Sequence, residues 1–160
     1  IHEQSAVARW SNHQKSRRAK RVLYACPKAI SREDGLVGNP VRAVIANLPA
    51  PAERFAEREG RLKILVVGGS LGADVLNKTV PQALALLPDD ARPQMYHQSG
   101  RGKLGSLQAD YDALGVKAEC VEFITDMVSA YRDADLVICR AGALTIAELT
   151  AAGLGALLVP

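Results

Sequence analysis

Two segments of this 160-residue sequence place glycines and hydroxyl groups where a phosphate group could bind. In the first segment, Gly68 and Gly69 end a short apolar run and Ser70 follows them. Glycine lets a ligand approach the main chain, and a hydroxyl beside the free N–H groups of a helix start favours an anion. The segment therefore predicts a phosphate-binding turn with Ser70 at the start of a helix. The alternative is a tight turn that binds no ligand.

The second segment, residues 141–148, combines a small-residue turn with the start of a predicted helix. Ala143, Leu144 and Thr145 would open this helix and offer unpaired N–H groups to a diphosphate. Glu148 falls on the first turns of the same helix, where its carboxylate could accept hydrogen bonds from the two hydroxyls of a ribose. The spacing of Thr145 and Glu148 also fits a capping box, which would stabilise the helix start without any ligand.

Both segments lie in a part of the chain that alternates apolar runs with amphipathic stretches, which predicts parallel strands connected by helices. Strands are predicted at residues 63–67, 94–97, 118–123, 136–139 and 156–159, and helices at residues 72–87, 103–114, 127–133 and 144–152. The predicted fold class is therefore α/β, with a Rossmann-like parallel sheet and helices on both faces. Such sheets bind ligands beyond the carboxyl ends of their strands, where both segments are located.

The first 60 residues show a weaker pattern. Ser5 is predicted to cap a helix over residues 6–19, and a strand is predicted at residues 22–26. Prolines and charged residues in the region 43–60 indicate a linker with a short helix. Because the sequence begins with Ile1 and stops where a strand is predicted to finish, we expect it to be a piece of a longer protein.

Composition limits the possible classes of protein. With 48% hydrophobic residues the chain is globular, and a net charge of +3 is too small to indicate a nucleic-acid partner. Three cysteines at spacings that match no metal-binding pattern indicate reduced thiols in a cytosolic protein, and no apolar run is long enough to predict a membrane span. Basic residues cluster at positions 15–21, which is typical of a solvated helix face or of a surface that attracts anionic lipid or a phosphorylated substrate.

Six motifs resemble, in order and spacing, those of the MurG family, bacterial transferases that add N-acetylglucosamine to lipid I during peptidoglycan synthesis. The motifs are HEQ at residues 2–4, GNPVR at 38–42, GGSLGA at 68–73, HQSG at 97–100, FITDM at 123–127 and CRAGALTIAE at 139–148. The resemblance implies a two-domain glycosyltransferase fold of the GT-B type, with the donor in a cleft. It places residues 1–42 in the C-terminal part of the acceptor domain, which is the N-terminal domain, 43–60 in a linker and 61–160 in a donor-binding domain that is truncated at its C-terminal end.

The resemblance also implies which residues bind the donor, UDP-N-acetylglucosamine. Ser70 would contact the diphosphate, and Glu148 would hold the ribose. Arg42 and the backbone of Ile124 would contact the uracil. The other implied donor-binding residues lie at the start of the last predicted helix and are Ala143, Leu144, Thr145, Ile146 and Ala147.

His2 and Ser5 would lie at the acceptor side of the implied cleft. His2 is a candidate for a supporting catalytic role, and a structural histidine at a strand end is the alternative. Many relatives carry a sugar-contacting Asn where Ser5 stands, and the shorter Ser side chain would allow a water-mediated contact. The sequence identifies no catalytic base.

Members of this family invert the anomeric carbon, because the muramyl hydroxyl of lipid I attacks C1 of the sugar while UDP leaves. Helix N-termini would stabilise the leaving diphosphate, and no Asp-x-Asp pair falls in the implied loops, so no metal or other cofactor is predicted. The expected partners are UDP-N-acetylglucosamine, lipid I and, for the whole protein, an anionic membrane surface, with no nucleic acid. The expected location is cytoplasmic and peripheral, on the cytoplasmic face of the inner membrane.

Three other functions compete with this one. A nicotinamide or flavin dinucleotide-binding domain has a loosely similar glycine motif. The spacing here differs from G-x-G-x-x-G, however, and the next predicted strand ends at His97 rather than at an acidic residue. A UDP-sugar epimerase, or another nucleotide-binding relative with the GT-B fold, would share the donor and much of the fold. A non-catalytic binding module is the third alternative.

Overall fold

A computed structural model describes residues 1–27, 29–30 and 35–160 of the chain. Its elements in chain order are β1 (His2–Glu3), α1 (Trp10–Ser16), β2 (Leu23–Tyr24), α2 (Ala43–Ala46), α3 (Pro51–Phe55), β3 (Lys63–Val67), α4 (Asp74–Ala85), β4 (Gln94–Gln98), α5 (Leu104–Ala113), β5 (Glu119–Val121), α6 (Met127–Asp133), β6 (Leu136–Arg140), α7 (Ala143–Ala152) and β7 (Gly155–Val159). A five-stranded parallel sheet has the order β5-β4-β3-β6-β7, and β1 and β2 form a small parallel pair. The predicted α/β fold with a Rossmann-like sheet is confirmed.

The central strand β3 is apolar on both faces because helices cover both sides of the sheet. Successive side chains of a strand point to opposite faces, so Leu65 and Val66 enter different cores. Leu65 packs with residues of α6, β6 and α7, including Tyr131 and Leu149. Val66 packs with residues of α4 and α5, including Leu107.

Residues 43–58 pack onto the first of these cores. Ile45 of α2 is fully buried in the same cluster as Leu65. The guanidinium of Arg54 in α3 donates to the backbone carbonyls of Pro49, Tyr131 and Ala152. The division of the chain into acceptor domain, linker and donor domain stays a prediction, but the segment predicted as a linker helps to form the core beside β3.

The N-terminal helix is shorter than the sequence predicts. α1 begins at Trp10 with Arg9 as its N-cap, so the prediction that Ser5 caps a helix over residues 6–19 is wrong. The physical reason is the buried carboxylate of Glu3, which accepts hydrogen bonds from the backbone N–H groups of Ser5 at 2.9 Å and Arg9 at 3.0 Å. These bonds stabilise a loop between the two residues in place of a helical turn.

Candidate nucleotide-binding site

The glycine turn connects β3 to α4 at the carboxyl edge of the sheet. Gly69 and Gly72 have φ angles of 85° and 71°, which residues with a side chain rarely adopt. The N–H of Gly72 donates to the carbonyl of Gly69 at 2.9 Å, and Ser70 is exposed between them. The prediction that Ser70 starts the helix is wrong, because the left-handed Gly72 intervenes and α4 begins only at Asp74, with Ala73 as its N-cap.

The turn that follows β4 supports this glycine turn. The side-chain amide of Gln98 donates to the carbonyl of Gly69 at 2.9 Å, and the N–H of Arg101 donates to the carbonyl of Ser70 at 3.3 Å. Gly100 lies so close that a Cβ atom on it would be 2.2 Å from the backbone nitrogen of Gly72. The two turns therefore pack backbone to backbone, with Ser70 on their exposed side.

The start of α7 lies beside the glycine turn, because β3 and β6 are neighbours in the sheet. Gly142 is the N-cap of α7, and no side chain caps the helix. The first helical residues are Ala143, Leu144 and Thr145, followed by Ile146 and Ala147. The N–H groups of the first three have no carbonyl partner within the helix, and the binding of a diphosphate by them stays a prediction.

The carboxylate of Glu148 has two partners outside its own helix. Arg42 donates from Nε to Oε1 at 2.9 Å, and the hydroxyl of Tyr131 donates to Oε2 at 3.3 Å. The capping-box alternative is excluded, because the N-cap is Gly142 and Thr145 lies inside the first turn of the helix. The Glu148 side chain is 19% exposed, so its carboxylate is accessible to a ligand next to the start of α7.

Arg42 and Ile124 come from two other elements. Arg42 is the N-cap residue of α2, and the packing of α2 on α7 brings its guanidinium to Glu148. Ile124 lies between β5 and α6, and its side chain is buried in the same core as Tyr131. The whole residue is only 3% exposed, and the backbone contact to uracil that the resemblance implies stays a prediction.

The GNPVR motif, residues 38–42, connects the N-terminal loop with the start of α7. Nε2 of His2 lies 3.1 Å from the carbonyl oxygen of Gly38. The side-chain amide of Asn39 donates to the carbonyl of Gln4 at 3.1 Å and to that of Ala143 at 3.4 Å. The loop that carries Ser5 is thus attached to the helix start that offers the free N–H groups.

Sequence reasoning missed three residues that shape the site. Asn39 and Gln98 lie inside two of the recognised motifs, and that position is the signal by which they could have been found. Tyr131 lies in α6, outside the motifs, and an apolar side chain at its position would fit the helical pattern equally well. Only the folded chain shows that its hydroxyl meets Glu148.

The His97 side chain has a structural role in the core. His97 is fully buried with Nδ1 2.9 Å from the Tyr111 hydroxyl, and burial lowers the pKa of His97 to about 4, so the ring is neutral at physiological pH.

Among the described residues, no group of three or more His, Cys, Asp or Glu side chains could hold a metal ion. Within the same part of the chain, no helix has the length and apolar character needed to span a membrane.

Comparison with known proteins identifies the family. Residues 63–160 match the glycosyltransferase family 28 C-terminal domain. The chain belongs to this family. A relative from Neisseria meningitidis serogroup C is 90% identical over the whole chain, which spans 45% of that relative, and one from Bordetella pertussis is 56% identical, with 44% of its length spanned. Both are named UDP-N-acetylglucosamine–N-acetylmuramyl-(pentapeptide) pyrophosphoryl-undecaprenol N-acetylglucosamine transferase.

A solved structure is similar to the whole chain as well. The crystal structure of MurG from Acinetobacter baumannii covers the whole chain with a TM-score of 0.84 and 39% sequence identity, and the chain covers 45% of it. The predicted resemblance to the MurG family is confirmed. The chain spans less than half the length of each of these relatives.

Proposed function

We propose that the protein containing this chain is an inverting glycosyltransferase that moves N-acetylglucosamine from UDP-N-acetylglucosamine to lipid I and so forms lipid II. The observation that carries the proposal is the carboxylate of Glu148, which partners from α2 and α6 hold near the uncapped start of α7. A helix N-terminus favours a diphosphate and an adjacent carboxylate favours ribose hydroxyls, so together they suit a nucleoside diphosphate. The names of the Neisseria and Bordetella relatives describe this donor group and acceptor.

The proposed donor site uses four parts of the chain: the start of α7, the glycine turn, the N-cap of α2 and the segment between β5 and α6. The start of α7 binds the diphosphate through its free N–H groups, and Ser70 reaches the same group from the glycine turn. Glu148 accepts hydrogen bonds from the ribose, while Arg42 and the backbone of Ile124 contact the uracil. The residues of the proposed site are Arg42, Ser70, Ile124, Ala143, Leu144, Thr145, Ile146, Ala147 and Glu148, with His2 and Ser5 on the acceptor side.

In the proposed reaction, the muramyl hydroxyl of lipid I forms a bond to C1 of the sugar while the bond from C1 to the UDP oxygen breaks. The attacking oxygen loses its proton to a base that this chain does not identify. Negative charge develops on the leaving diphosphate, where the N–H groups of α7 are already oriented, and such preorganised donors lower the barrier most effectively. Attack opposite the leaving group inverts the anomeric carbon.

Binding and transfer assays on the full-length protein separate this proposal from its competitors. Calorimetry is expected to show binding of UDP-N-acetylglucosamine and none of NAD, and the reverse would favour a dinucleotide-binding domain. With a soluble lipid I analogue, the expected product is the disaccharide and free UDP. Conversion of the UDP-sugar without an acceptor would instead indicate an epimerase, and donor binding without either reaction would indicate a binding module.

We also propose that the whole protein binds peripherally at the cytoplasmic face of the inner membrane, where lipid I would be its acceptor. The supporting surface carries Trp10 with 78% of its area exposed, and the basic residues Lys15, Arg17 and Arg18 line the same surface pocket. Aromatic and basic side chains together favour an anionic bilayer surface. The full-length protein is expected to sediment with vesicles that contain anionic lipid, and equal sedimentation with neutral vesicles would contradict a role for this basic cluster.

A further inference from the structure

The two partners of the Glu148 carboxylate differ sharply in their freedom to move. The Arg42 side chain is 51% exposed and extends from the N-cap residue of the short helix α2. The Tyr131 side chain is 2% exposed and belongs to the core that also contains Leu149, the residue next to Glu148. Arg42 can therefore leave the carboxylate without disturbing the fold, whereas the Tyr131 hydroxyl is fixed by the packing of its ring.

The Tyr131 backbone is fixed as well. Its carbonyl accepts a hydrogen bond from Nη1 of Arg54 at 3.2 Å, and the same guanidinium donates to the carbonyl of Ala152 in α7. Arg54 thus ties the end of α6 to the end of α7. The hydrogen bonds of Arg54 and the core between the helices hold α6, which carries Tyr131, against α7, which carries Glu148.

The Tyr131 hydroxyl also has a defined chemical role. Burial and the adjacent Glu148 carboxylate raise the pKa of Tyr131, so the hydroxyl keeps its proton. Because an ionised carboxylate only accepts hydrogen bonds, the hydroxyl must be the donor. Its bond to Oε2 restricts rotation of the carboxylate and leaves Oε1 on the side now occupied by Arg42.

We propose that Tyr131 is a positioning residue of the donor site, whose hydroxyl orients the Glu148 carboxylate for the ribose while Arg42 is exchanged for the ribose hydroxyls. This inference rests on the proposed function, because it assigns the ribose to Glu148. An orientation that is fixed before binding removes part of the entropy cost that the ligand would otherwise meet. Without the Tyr131 hydroxyl, the carboxylate turns more freely and Oε2 loses this donor.

The test is Tyr131→Phe in the full-length protein, which keeps the ring and removes only the hydroxyl. We expect UDP to bind about 3- to 10-fold more weakly, the usual effect of losing one hydrogen bond. The KM for UDP-N-acetylglucosamine should rise by the same factor, with kcat nearly unchanged, because the ribose contact is made equally before and during the reaction. The matched control is Tyr111→Phe, which removes another buried hydroxyl, bonded to His97 on the opposite face of the sheet, and should leave UDP affinity unchanged.

A double-mutant cycle with Glu148→Ala shows whether Tyr131 acts through Glu148. In the Glu148→Ala background, Tyr131→Phe should weaken UDP binding no further, and 2′,3′-dideoxy-UDP should bind the unaltered protein and Tyr131→Phe equally. Equal losses in both backgrounds, or an equal loss in Tyr111→Phe, would overturn the inference. If the unaltered protein bound UDP and Tyr131→Phe bound it just as well, the inference alone would fail. No UDP binding by the unaltered protein would refute the proposed function too.

Discussion

The guanidinium of Arg42 and the carboxylate of Glu148 form an ion pair with a distance of 2.9 Å between Nε and Oε1, although 106 positions separate them in the sequence. Both residues are proposed to bind the donor, Arg42 at the uracil and Glu148 at the ribose. The pair engages Nε of Arg42 and Oε1 of Glu148, so a donor that uses these two atoms would replace this contact. Because such a solvent-exposed pair contributes only about 0–1 kcal/mol, the donor can do so at little cost.

Replacing Arg42 by Ala is expected to weaken UDP binding about 3- to 10-fold, because the lost contact to uracil outweighs the release of Glu148 from a weak pair. The thermal unfolding midpoint should barely change. Calorimetry and thermal unfolding measure the two effects. Arg132→Ala is the matched control, since Arg132 is also 51% exposed and paired to a carboxylate, that of Asp133, but lies outside the proposed site. A lower unfolding midpoint with unchanged UDP affinity would give Arg42 a purely structural role.

Replacing Glu148 by Ala is expected to weaken UDP binding by about 1–3 kcal/mol, because the ribose loses charge-assisted hydrogen bonds. The effect should disappear with 2′,3′-dideoxy-UDP, which has no ribose hydroxyls to donate. Glu57→Ala, which removes an exposed carboxylate beyond the end of α3, is the control and should change neither affinity. If Glu148→Ala weakened both ligands equally, the carboxylate would act on another part of the donor.

The sequence predicted the sheet well because its signals are local. Alternating apolar runs and helical stripes fall within short windows, so every strand and helix after residue 60 was placed to within a few residues. Local signals failed where a distant or competing contact decides the structure. The type of Ser5 predicts a helix cap, but the Glu3 carboxylate binds the nearby N–H groups. The position of Ser70 predicts a helix start, which the left-handed Gly72 delays.

The candidate site was only partly predictable for the same reason. The small residues before Ala143 predict a helix start with free N–H groups, and the family resemblance places Arg42 at the uracil and Glu148 at the ribose. No periodicity or spacing indicates that Tyr131 reaches Glu148, because that contact depends on how α6 and α7 pack. The spacing of Thr145 and Glu148 fits a capping box as well as a ligand site, and only the position of Gly142 as the N-cap excludes the capping box.

Replacing Ser70 by Ala is expected to weaken UDP binding about 3- to 10-fold and leave uridine binding unchanged, because only UDP carries the diphosphate that the hydroxyl would contact. Ser70 is exposed in its turn, so the variant should be as stable as the unaltered protein. Calorimetry with both ligands gives the comparison. Ser106→Ala removes another exposed hydroxyl, in α5, and should affect neither ligand. If Ser70→Ala weakened uridine binding by the same factor, Ser70 would not act through a contact to the diphosphate.

The buried carboxylate of Glu3 is expected to make stability depend on acid pH. Burial alone would raise its pKa, but hydrogen bonds from Ser5, Asn12 and Arg9 outweigh this and lower the pKa from 4.5 to about 2. A lowered pKa in the folded state stabilises the fold above pH 4.5, and this contribution is lost as the pH falls from 4.5 towards 2.

Glu3→Gln tests this dependence, because it removes the titrating group and keeps the size of the side chain. The full-length variant should unfold at a lower temperature than the unaltered protein at pH 7, and the difference should shrink as the pH is lowered from 5 to about 3. Glu119→Gln, which replaces an exposed glutamate in β5, is the control and should show no such convergence. A difference that stayed constant with pH would show that the Glu3 charge does not contribute.

Replacing Gly100 by Ala is expected to disrupt the contact between the two turns at the sheet edge. The new Cβ would lie 2.2 Å from the nitrogen of Gly72, so the backbone of one turn must move. Gly102→Ala is a close control, because Gly102 also has a positive φ, 71° against 86° for Gly100, but its Cβ would meet nothing within 4 Å. Both variants bear the cost of placing Ala at positive φ, about 1–2 kcal/mol, and only Gly100→Ala adds the clash.

Thermal unfolding and UDP calorimetry together measure what the clash does. Gly100→Ala should unfold at a clearly lower temperature than Gly102→Ala and should bind UDP more weakly, because the displaced turn carries Ser70. Gly102→Ala should bind UDP as the unaltered protein does. Equal unfolding temperatures in the two variants would show that the turns can separate freely. A destabilised Gly100→Ala with normal UDP affinity would show that the packing of the turns serves the fold and does not position Ser70.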